Sequence, residues 1–341
     1  MAIIKEADFR KEIKSAPRTG YLFFGEEDYM KTFALKMAQD AICPDPSFAF
    51  FNEIRLDSLS YSPEALLDAL MPLPMMAERK LVVVTGLDFG AMRSNETDNF
   101  VEVLSQLEDY DYNTLIISVA SDKIDAGKPP KSPSAIVKRL GEYLTPVYFE
   151  KNSPAKLASW VGKHFEHNGV SASAAVCSAV IDYCGRDMYN LASETDKLSF
   201  FVKSQGRAEV TAADVKYIST PATEYNAFAL TNAIAARRRD EALEVLKDLK
   251  MRRVEPVVVM GEVSKAVHDM AAVITLKADG LTVGEVSSIL GLHEFRVSLL
   301  FQNNVRVDLC RALVERCRAA DLELKRSYDG YGAIERLICT I

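Results

Sequence analysis

Short apolar runs alternate with amphipathic segments in the first part of the chain. The runs lie at residues 21–24, 48–54, 81–84, 115–119 and 147–149. Continuous β-branched and aliphatic runs such as LVVV are typical of strands buried on both faces of a parallel sheet. Helical spacing of apolar positions predicts helices near residues 29–41, 63–70, 99–107 and 134–143. The alternation predicts an α/β domain over residues 1–150, with a parallel sheet of five strands.

The pattern changes after this domain, and no further strand is predicted. Ser153 and Pro154 form a favourable helix start, with a capping side chain and a proline in the first turn. Helical spacing continues at residues 155–167, 174–184, 188–201 and 212–218, and, after the break STPATEYN, at 227–236, 239–251, 256–278, 283–290 and 307–326. These segments predict a small helical domain over residues 151–219 and a larger all-α domain over residues 220–341.

Composition narrows the class of protein. The 341 residues are 48% hydrophobic and carry a net charge of −7. No apolar run approaches the ~20 residues that cross a bilayer, and the N-terminus is too charged for a signal peptide, so a cytoplasmic protein is expected. Proteins that bind nucleic acid unaided are usually basic, so we expect any DNA contact to be shared with other subunits. None of the six cysteines forms a C-x-x-C pair, and we expect reduced core thiols.

The stretch YLFFGEEDYMKT partly matches a phosphate-binding loop, G-x-x-x-x-G-K-[ST]. Gly25 and the pair Lys31–Thr32 have the right spacing, but Met30 stands where the second glycine belongs. That glycine lets the backbone approach the phosphates closely. Glu26, Glu27 and Asp28 add negative charge, which repels a polyphosphate and suits a helix N-terminus instead. The sequence therefore predicts the frame of a nucleotide site that binds no nucleotide.

Other signs of catalysis or metal binding are weak. The strand LVVV lacks an acidic residue directly after it to hold magnesium, since Asp88 comes too late. His164 and His167 share one helix face without a third ligand nearby, so a solvated face is favoured over a metal site. His268 and His293 have no catalytic partner at motif spacing. We expect no catalytic residue, no metal and no cofactor.

Two features suggest DNA contacts, and simpler explanations are favoured for both. Residues 281–300 resemble a helix-turn-helix, yet the second helix is mostly apolar and Arg296 is its one strong base-reading residue, so packing in a helical bundle is preferred. The basic clusters are explained by exposure to water. Their members are Arg237, Arg238 and Arg239, and Lys123, Lys128, Lys131, Lys138 and Arg139.

The segment PLPMMAERK, residues 72–80, allows two interpretations. Methionines fill irregular gaps in cores, and from periodicity alone Met75 and Met76 are assigned to the core. Alternatively, the prolines hold an exposed apolar tip that fits the pocket of a partner.

The chain resembles the delta subunit of the bacterial DNA polymerase III clamp loader over essentially its whole length. The resemblance rests on the order and spacing of several segments. They are YLFFGEEDY, PLPMMAERKLVVV, LASWVGKHFEHNGVSASAAV, CGRDMYNLASETDKLSFF, VTAADVKYI, RRDEALEVLKDLKMRRVEPVVVMGEV and AADLELKRSYDGYGAIERLI.

The resemblance implies an AAA+-like first domain, a small helical lid and a helical collar for oligomerisation. It implies a subunit without ATPase activity that belongs to the polymerase holoenzyme. Such a subunit binds and opens the beta sliding clamp for loading onto primed DNA. An apolar pair on a helix tip does this in the family, and the corresponding residues here are Met75 and Met76, with Leu73 beside them. Many members carry Leu-Phe at the pair. The implied partners are the beta clamp, the delta-prime and gamma/tau subunits, and primer–template DNA within the complex.

Two functions of other classes remain as alternatives. An active AAA+-type ATPase that remodels another partner requires direct ATP binding. A transcriptional regulator that uses residues 281–300 requires specific binding of duplex DNA by the C-terminal part alone.

Overall fold

The computed structural model describes residues 2–222, 229–234, 238–292, 294–302, 305–326 and 330–339. The chain divides into two units, residues 1–153 and residues 154–341. The division predicted near residue 219 stays a prediction. Arg237 and His293 lie outside the described residues. No helix among the described residues is both long and apolar enough to span a membrane.

The first unit is built on one parallel sheet. Its strands are β1 (Ile4–Lys5), β2 (Gly20–Gly25), β3 (Glu53–Leu56), β4 (Lys80–Thr85), β5 (Asn113–Ser118) and β8 (Thr145–Phe149). They lie in the order β1-β8-β2-β5-β4-β3. The predicted parallel α/β sheet is confirmed, with six strands rather than five because the short strand β1 pairs with β8 at one edge.

The sheet is buried because its strands are apolar on both faces. Phe23 and Phe24 in β2, and Val82 and Val83 in β4, point to opposite faces, and all four are buried. Helices on either face exclude water from these side chains. They are α1 (Glu6–Ser15), α2 (Asp28–Ile42), α3 (Pro46–Asn52), α4 (Pro63–Leu70), α5 (Ser94–Ser105) and α6 (Ala135–Leu140), with a 3-10 turn at Leu107–Tyr110.

The strand predicted at residues 48–54 is largely wrong. Helix α3 occupies Pro46–Asn52, and strand β3 begins only at Glu53. The side chain of Asp45 accepts a hydrogen bond from the Ser47 N–H, and Pro46 lies in the first turn. This cap and proline stabilise a helix start more strongly than the aromatic residues favour a strand. The stretch KIDAGKPPKSPS, residues 123–134, whose prolines and glycine are typical of a loop, contains a small antiparallel hairpin, β6 (Gly127–Lys128) with β7 (Ser132–Pro133).

The second unit begins with four helices, all at or near their predicted positions. They are α7 (Pro154–His167), α8 (Ala174–Cys184), α9 (Met188–Ser204) and α10 (Ala212–Ile218). Capping side chains fix the starts of α8, α9 and α10, and these are Ser173, Asp187 and Thr211. The expectation of no strand after the first domain is wrong in detail, since β9 (Ser171–Ala172) and β10 (Glu209–Val210) form a short parallel pair.

The rest of the second unit is helical. Residues 229–234 form a helical stretch. It is followed by α11 (Arg239–Met251), α12 (Pro256–Ala278), α13 (Val283–Leu290), α14 (Glu294–Phe301), α15 (Val307–Leu324) and α16 (Gly332–Cys339). The apolar faces of these helices share one core, which includes Val263 and Met270 of α12 and Leu313 of α15. The predicted all-α character of this part is confirmed.

Candidate functional site

The loop that resembles a phosphate-binding loop lies at the carboxyl edge of the sheet, where β2 ends at Gly25. The backbone N–H groups of Glu26 and Glu27 both donate to the main-chain oxygen of Phe149, at 2.9 and 3.2 Å. In a working loop, successive N–H groups of this kind surround the phosphates. Here both are already bonded to β8. Gly25 has φ of +114°, and a Cβ there would lie 2.5 Å from the Phe149 oxygen, so this glycine serves a tight approach between strands.

Lys31 occupies the position of the phosphate-binding lysine, but its side chain is only 3% exposed. Its ammonium group donates to the main-chain oxygens of Gly25 at 2.9 Å and Val119 at 2.6 Å, and pairs with the Asp28 carboxylate at 2.6 Å. An ammonium has three hydrogens, so these contacts use its whole donor capacity. Burial lowers the pKa of Lys31. The lysine therefore binds the protein in the place where a nucleotide phosphate would lie.

Asp28 and Met30 of this loop also have structural roles. Asp28 accepts hydrogen bonds from the N–H and the hydroxyl of Ser121, at 3.2 and 3.1 Å. Met30, which replaces the second glycine, is buried in the first turn of α2. Asp88, the nearest acidic residue after β4, pairs with Lys123 at 3.0 Å.

The residues predicted to contact a partner lie at the opposite edge of the sheet, in the loop of residues 71–79 between α4 and β4, hereafter the tip. Leu73 is 75% exposed, Met75 46% and Met76 83%. The assignment of both methionines to the core, favoured by periodicity alone, is wrong. The pair also lies in irregular backbone after the helix rather than on a helix. The tip thus presents three apolar side chains to solvent.

The stem of the tip is held by side chains from the starts of β4 and β5. Four consecutive main-chain oxygens at the end of α4, those of residues 69–72, accept hydrogen bonds from side chains. Lys80 donates to Ala69 at 2.7 Å and also to Pro72. The Tyr112 hydroxyl donates to Met71, and the Asn113 amide donates to Leu70 at 3.1 Å. These contacts satisfy carbonyls that a helix end leaves without partners.

Lys80 is fully buried although it is charged. Its ammonium lies 5.9 Å from the centre of the Tyr112 ring, close to the two carbonyls that it bonds. Burial lowers the pKa of Lys80 to about 8. A cation at the C-terminus of α4 also interacts favourably with the helix dipole. Lys80 therefore joins the end of α4, the tip and β4.

The main chain of the tip is fixed a second time, at Met75. The Asn52 side-chain amide donates to the Met75 oxygen at 2.8 Å, and the Met75 N–H donates to the Asn52 side-chain oxygen at 2.7 Å. The next residue, Met76, has φ of +53°. Sequence reasoning missed Asn52, Lys80, Tyr112 and Asn113 as supports of the tip. The available signal was a polar residue at the start of two apolar strands, Lys80 in β4 and Asn113 in β5.

Two exposed aromatic residues lie on α3, directly before Asn52. Phe50 is 86% exposed and Phe51 is 51% exposed, and their rings make an edge-to-face contact with centroids 5.4 Å apart. The sequence placed both in a strand. Together with the tip they add apolar surface at the same edge of the sheet, because β3 and β4 are parallel neighbours.

Two residues weighed in the sequence as a metal ligand and a base reader, His164 and Arg296, have structural partners. His164 Nε2 lies 2.8 Å from the Asp196 carboxylate. In the described parts of the chain, no three His, Cys, Asp or Glu side chains come close enough together to hold a metal ion. The described part of residues 281–300 contains α13 and most of α14, and Val286 and Val297 are buried in the helical core. Arg296, the proposed base reader, pairs with Asp269 at 2.9 Å. Bundle packing explains this segment.

Comparisons with known proteins agree on one family. A model described as DNA polymerase III, delta subunit, matches residues 21–144, and a model of the C-terminal domain of the same subunit matches residues 224–341. DNA polymerase III subunit delta of Bacillus subtilis (strain 168) is 23% identical over 317 residues, which cover 89% of this chain and 87% of that protein.

A solved structure is similar over nearly the whole length. The Bacillus subtilis DNA clamp loader delta protein matches with a TM-score of 0.57 and 19% identity, over 98% of both chains. At this level of identity the likeness concerns the fold alone, and it agrees with an α/β domain followed by helices.

Proposed function

Because the chain belongs to the DNA polymerase III delta-subunit family, we propose that it binds the beta sliding clamp through the tip and opens the ring for loading onto primed DNA. It does so as a non-catalytic subunit of the clamp loader. The observation that carries the proposal is the exposure of Leu73, Met75 and Met76 on a loop whose main chain is held by buried side chains.

Exposed apolar residues on a fixed backbone suit insertion into a pocket. Exposure of the two methionine side chains to water is unfavourable, and burial of such side chains is the main source of affinity at protein interfaces. A loop that is already ordered loses little conformational freedom on binding. Met75 and Met76 are flexible and polarizable, so they fit a pocket that also accepts Leu or Phe.

Ring opening needs a difference in affinity. A ligand shifts the clamp toward its open form only as far as it binds that form more tightly. The energy for the loading cycle then comes from other subunits, because the Gly25 loop of this chain directs its N–H groups and Lys31 toward protein atoms. An active ATPase, the alternative function, needs those donors free.

The remaining parts of the proposal concern the assembly. Residues 151–219 form a lid domain, and residues 220–341 form a collar that joins delta-prime and the gamma/tau subunits. Primer–template DNA is contacted within that complex, and the subunit is part of the polymerase holoenzyme without carrying its chemistry. Such a subunit works in the cytoplasm of a bacterium.

The test is direct binding of the full-length chain to the beta clamp of the same organism, measured on an immobilised clamp. Ring opening is followed by energy transfer between dyes placed across one clamp interface. We expect saturable binding without ATP and a loss of transfer when the chain is added. A chain that neither binds the clamp nor changes the transfer signal contradicts the proposal.

A further inference from the structure

Asn52 and the tip meet because of the way the sheet is ordered. Asn52 is the last residue of α3, and β3 starts at the next residue. The tip directly precedes β4, and Glu53 of β3 pairs in register with Leu81 of β4. Neighbouring parallel strands start at the same edge of a sheet. The end of α3 therefore lies beside the tip.

The Asn52 side chain is nearly inaccessible, and among the described residues its amide bonds to the tip alone. The residue is 3% exposed. Both polar atoms of its amide engage Met75, one as donor at 2.8 Å and one as acceptor at 2.7 Å. Its own main-chain oxygen accepts a hydrogen bond from the Cys43 thiol at 3.3 Å, which fixes the backbone that carries it. A buried amide is costly unless both of its polar atoms are bonded, so a displacement of Met75 that breaks these bonds is unfavourable.

We propose that Asn52 is a positioning residue for clamp binding, which sets the main chain of Met75 so that Met75 and Met76 are presented in the bound arrangement. The inference rests on the proposed function and adds to it the residue that orders the tip. Lys80 and its neighbours hold the stem of the tip at residues 69–72. Of the side chains in the described ranges, Asn52 alone pairs with the backbone of the methionine pair.

The expected effect of Asn52 follows from preorganisation. Without the amide, Met75 and Met76 sample several backbone arrangements in the free protein, and binding must select one of them. The apparent affinity falls by the fraction of molecules in the competent arrangement. Two neutral hydrogen bonds of ordinary strength correspond to a loss of affinity of about tenfold or somewhat more.

The experiment compares clamp binding and amide hydrogen exchange in the full-length chain. Asn52→Ala removes both hydrogen bonds, and Asn52→Asp keeps the acceptor for the Met75 N–H while it removes the donor. Asn190→Ala is the matched control, since the Asn190 amide also holds a main-chain oxygen, that of Cys184 at 2.7 Å, but in the second unit. All proteins are measured at a temperature where thermal scans find them fully folded.

We expect Asn52→Ala to bind the clamp about tenfold more weakly. Asn52→Asp should bind at least as weakly, because its carboxylate oxygen faces the Met75 oxygen, and Asn190→Ala should bind like wild type. Exchange at the Met75 amide should rise in Asn52→Ala while Val82 and Val83 in β4 keep their protection. A purely structural role for Asn52 moves the melting temperature without these two changes.

The possible results distinguish a failure of the Asn52 proposal from a failure of the proposed clamp binding. If wild type binds the clamp and both Asn52 variants bind equally well, the inference is overturned and the proposed function stands. If wild type does not bind, both are overturned. Should Asn52→Ala fail to fold, Asn52→Asp decides, because unchanged affinity and unchanged exchange at Met75 in that variant also overturn the inference.

Discussion

Lys31 Nζ lies 2.6 Å from the main-chain oxygen of Val119, the residue directly after β5. Through this contact Lys31, which matches the lysine of a phosphate-binding motif, connects α2 to the sheet. Since the same ammonium also bonds Gly25 and pairs with Asp28, a nucleotide would have to displace three partners at once. The resemblance to a phosphate loop is thus one of sequence spacing and backbone path.

We expect the chain to bind no ATP, with or without magnesium. Met30→Gly alone should not create binding, because the Glu26 and Glu27 N–H groups remain bonded to Phe149 and Lys31 remains buried. Isothermal titration of wild type and Met30→Gly with ATP and Mg²⁺ checks this. An active nucleotide-binding subunit of the same loader serves as the positive control, and micromolar binding by either protein contradicts the prediction.

The double variant Met75→Ser, Met76→Ser should keep the melting temperature of wild type and lose affinity for the clamp. Burial of each methionine contributes roughly 1.5–3 kcal/mol, so loss of both weakens binding by a factor on the order of 10²–10⁴. Titration on an immobilised clamp measures the affinity, and a thermal scan measures stability.

Leu59→Ser is the matched control for that variant. Leu59 is 93% exposed and follows the carboxyl end of β3, at the edge of the sheet opposite the tip. It should lose neither stability nor affinity. A double serine variant that is stable and binds the clamp as well as wild type rejects the tip as the binding element.

Lys80→Met should reveal the buried charge through the pH dependence of stability. Burial lowers the pKa of Lys80 to about 8, from an ordinary value of 10.5. Between these values the unfolded chain binds more protons than the folded protein, so the free energy of unfolding of wild type rises with pH. In Lys80→Met that rise is absent. As the pH rises through this range, the free energy of unfolding of wild type should therefore increase relative to that of the variant, by up to about 3 kcal/mol.

Urea unfolding of both proteins at pH 7.5 and pH 10, under reducing conditions, measures the difference. Other groups that titrate in this range are common to both proteins and cancel in the comparison. At either pH the variant also leaves the main-chain oxygens of Ala69 and Pro72 without the hydrogen-bond donor that Lys80 supplies. A stability difference that is flat across this range contradicts the depressed pKa.

Removal of the C-terminal helices should affect binding to the other loader subunits but not binding to the clamp. A fragment of residues 1–222 ends after α10 and after the hydrogen bond from the Ala222 N–H to the Tyr183 oxygen, 2.7 Å long. We expect it to keep clamp binding, which depends on the tip, and to lose delta-prime and gamma/tau. Size-exclusion chromatography of reconstituted mixtures checks this. Full-yield co-elution of the fragment with gamma/tau contradicts a collar role for residues 220–341.

Most of the secondary structure followed from local sequence signals. The helix over Pro63–Leu70 was predicted at its full length from the helical spacing of its apolar residues, and the structure shows that the Ser62 side chain caps its start. The strands β4 and β5 followed from apolar runs with no polar alternation. The strand predicted at residues 48–54 was largely wrong because an apolar run was interpreted as a strand, and the Asp45–Pro46 helix start was not recognised.

The candidate site was harder to predict, for a physical reason. Periodicity does not distinguish a buried methionine pair from an exposed one when the segment forms no regular element, so the choice came from family resemblance. The roles of Asn52 and Lys80 depend on which strands are neighbours. Asn52 and Met75 are 23 positions apart and meet only because β3 and β4 pair in parallel.

The positive φ of Met76 limits which side chains the tip can carry. At +53° the backbone crowds a side chain with two heavy atoms on Cβ, so valine, isoleucine and threonine are strained there. Methionine, leucine and phenylalanine branch only beyond Cβ and avoid that strain. Position 76 therefore tolerates side chains of different size and aromaticity, but not side chains that are branched at Cβ. A library that aims to change the affinity of the tip should use side chains without a branch at Cβ at Met76. Asparagine or glycine is suitable where the apolar side chain is to be removed without disturbing the backbone.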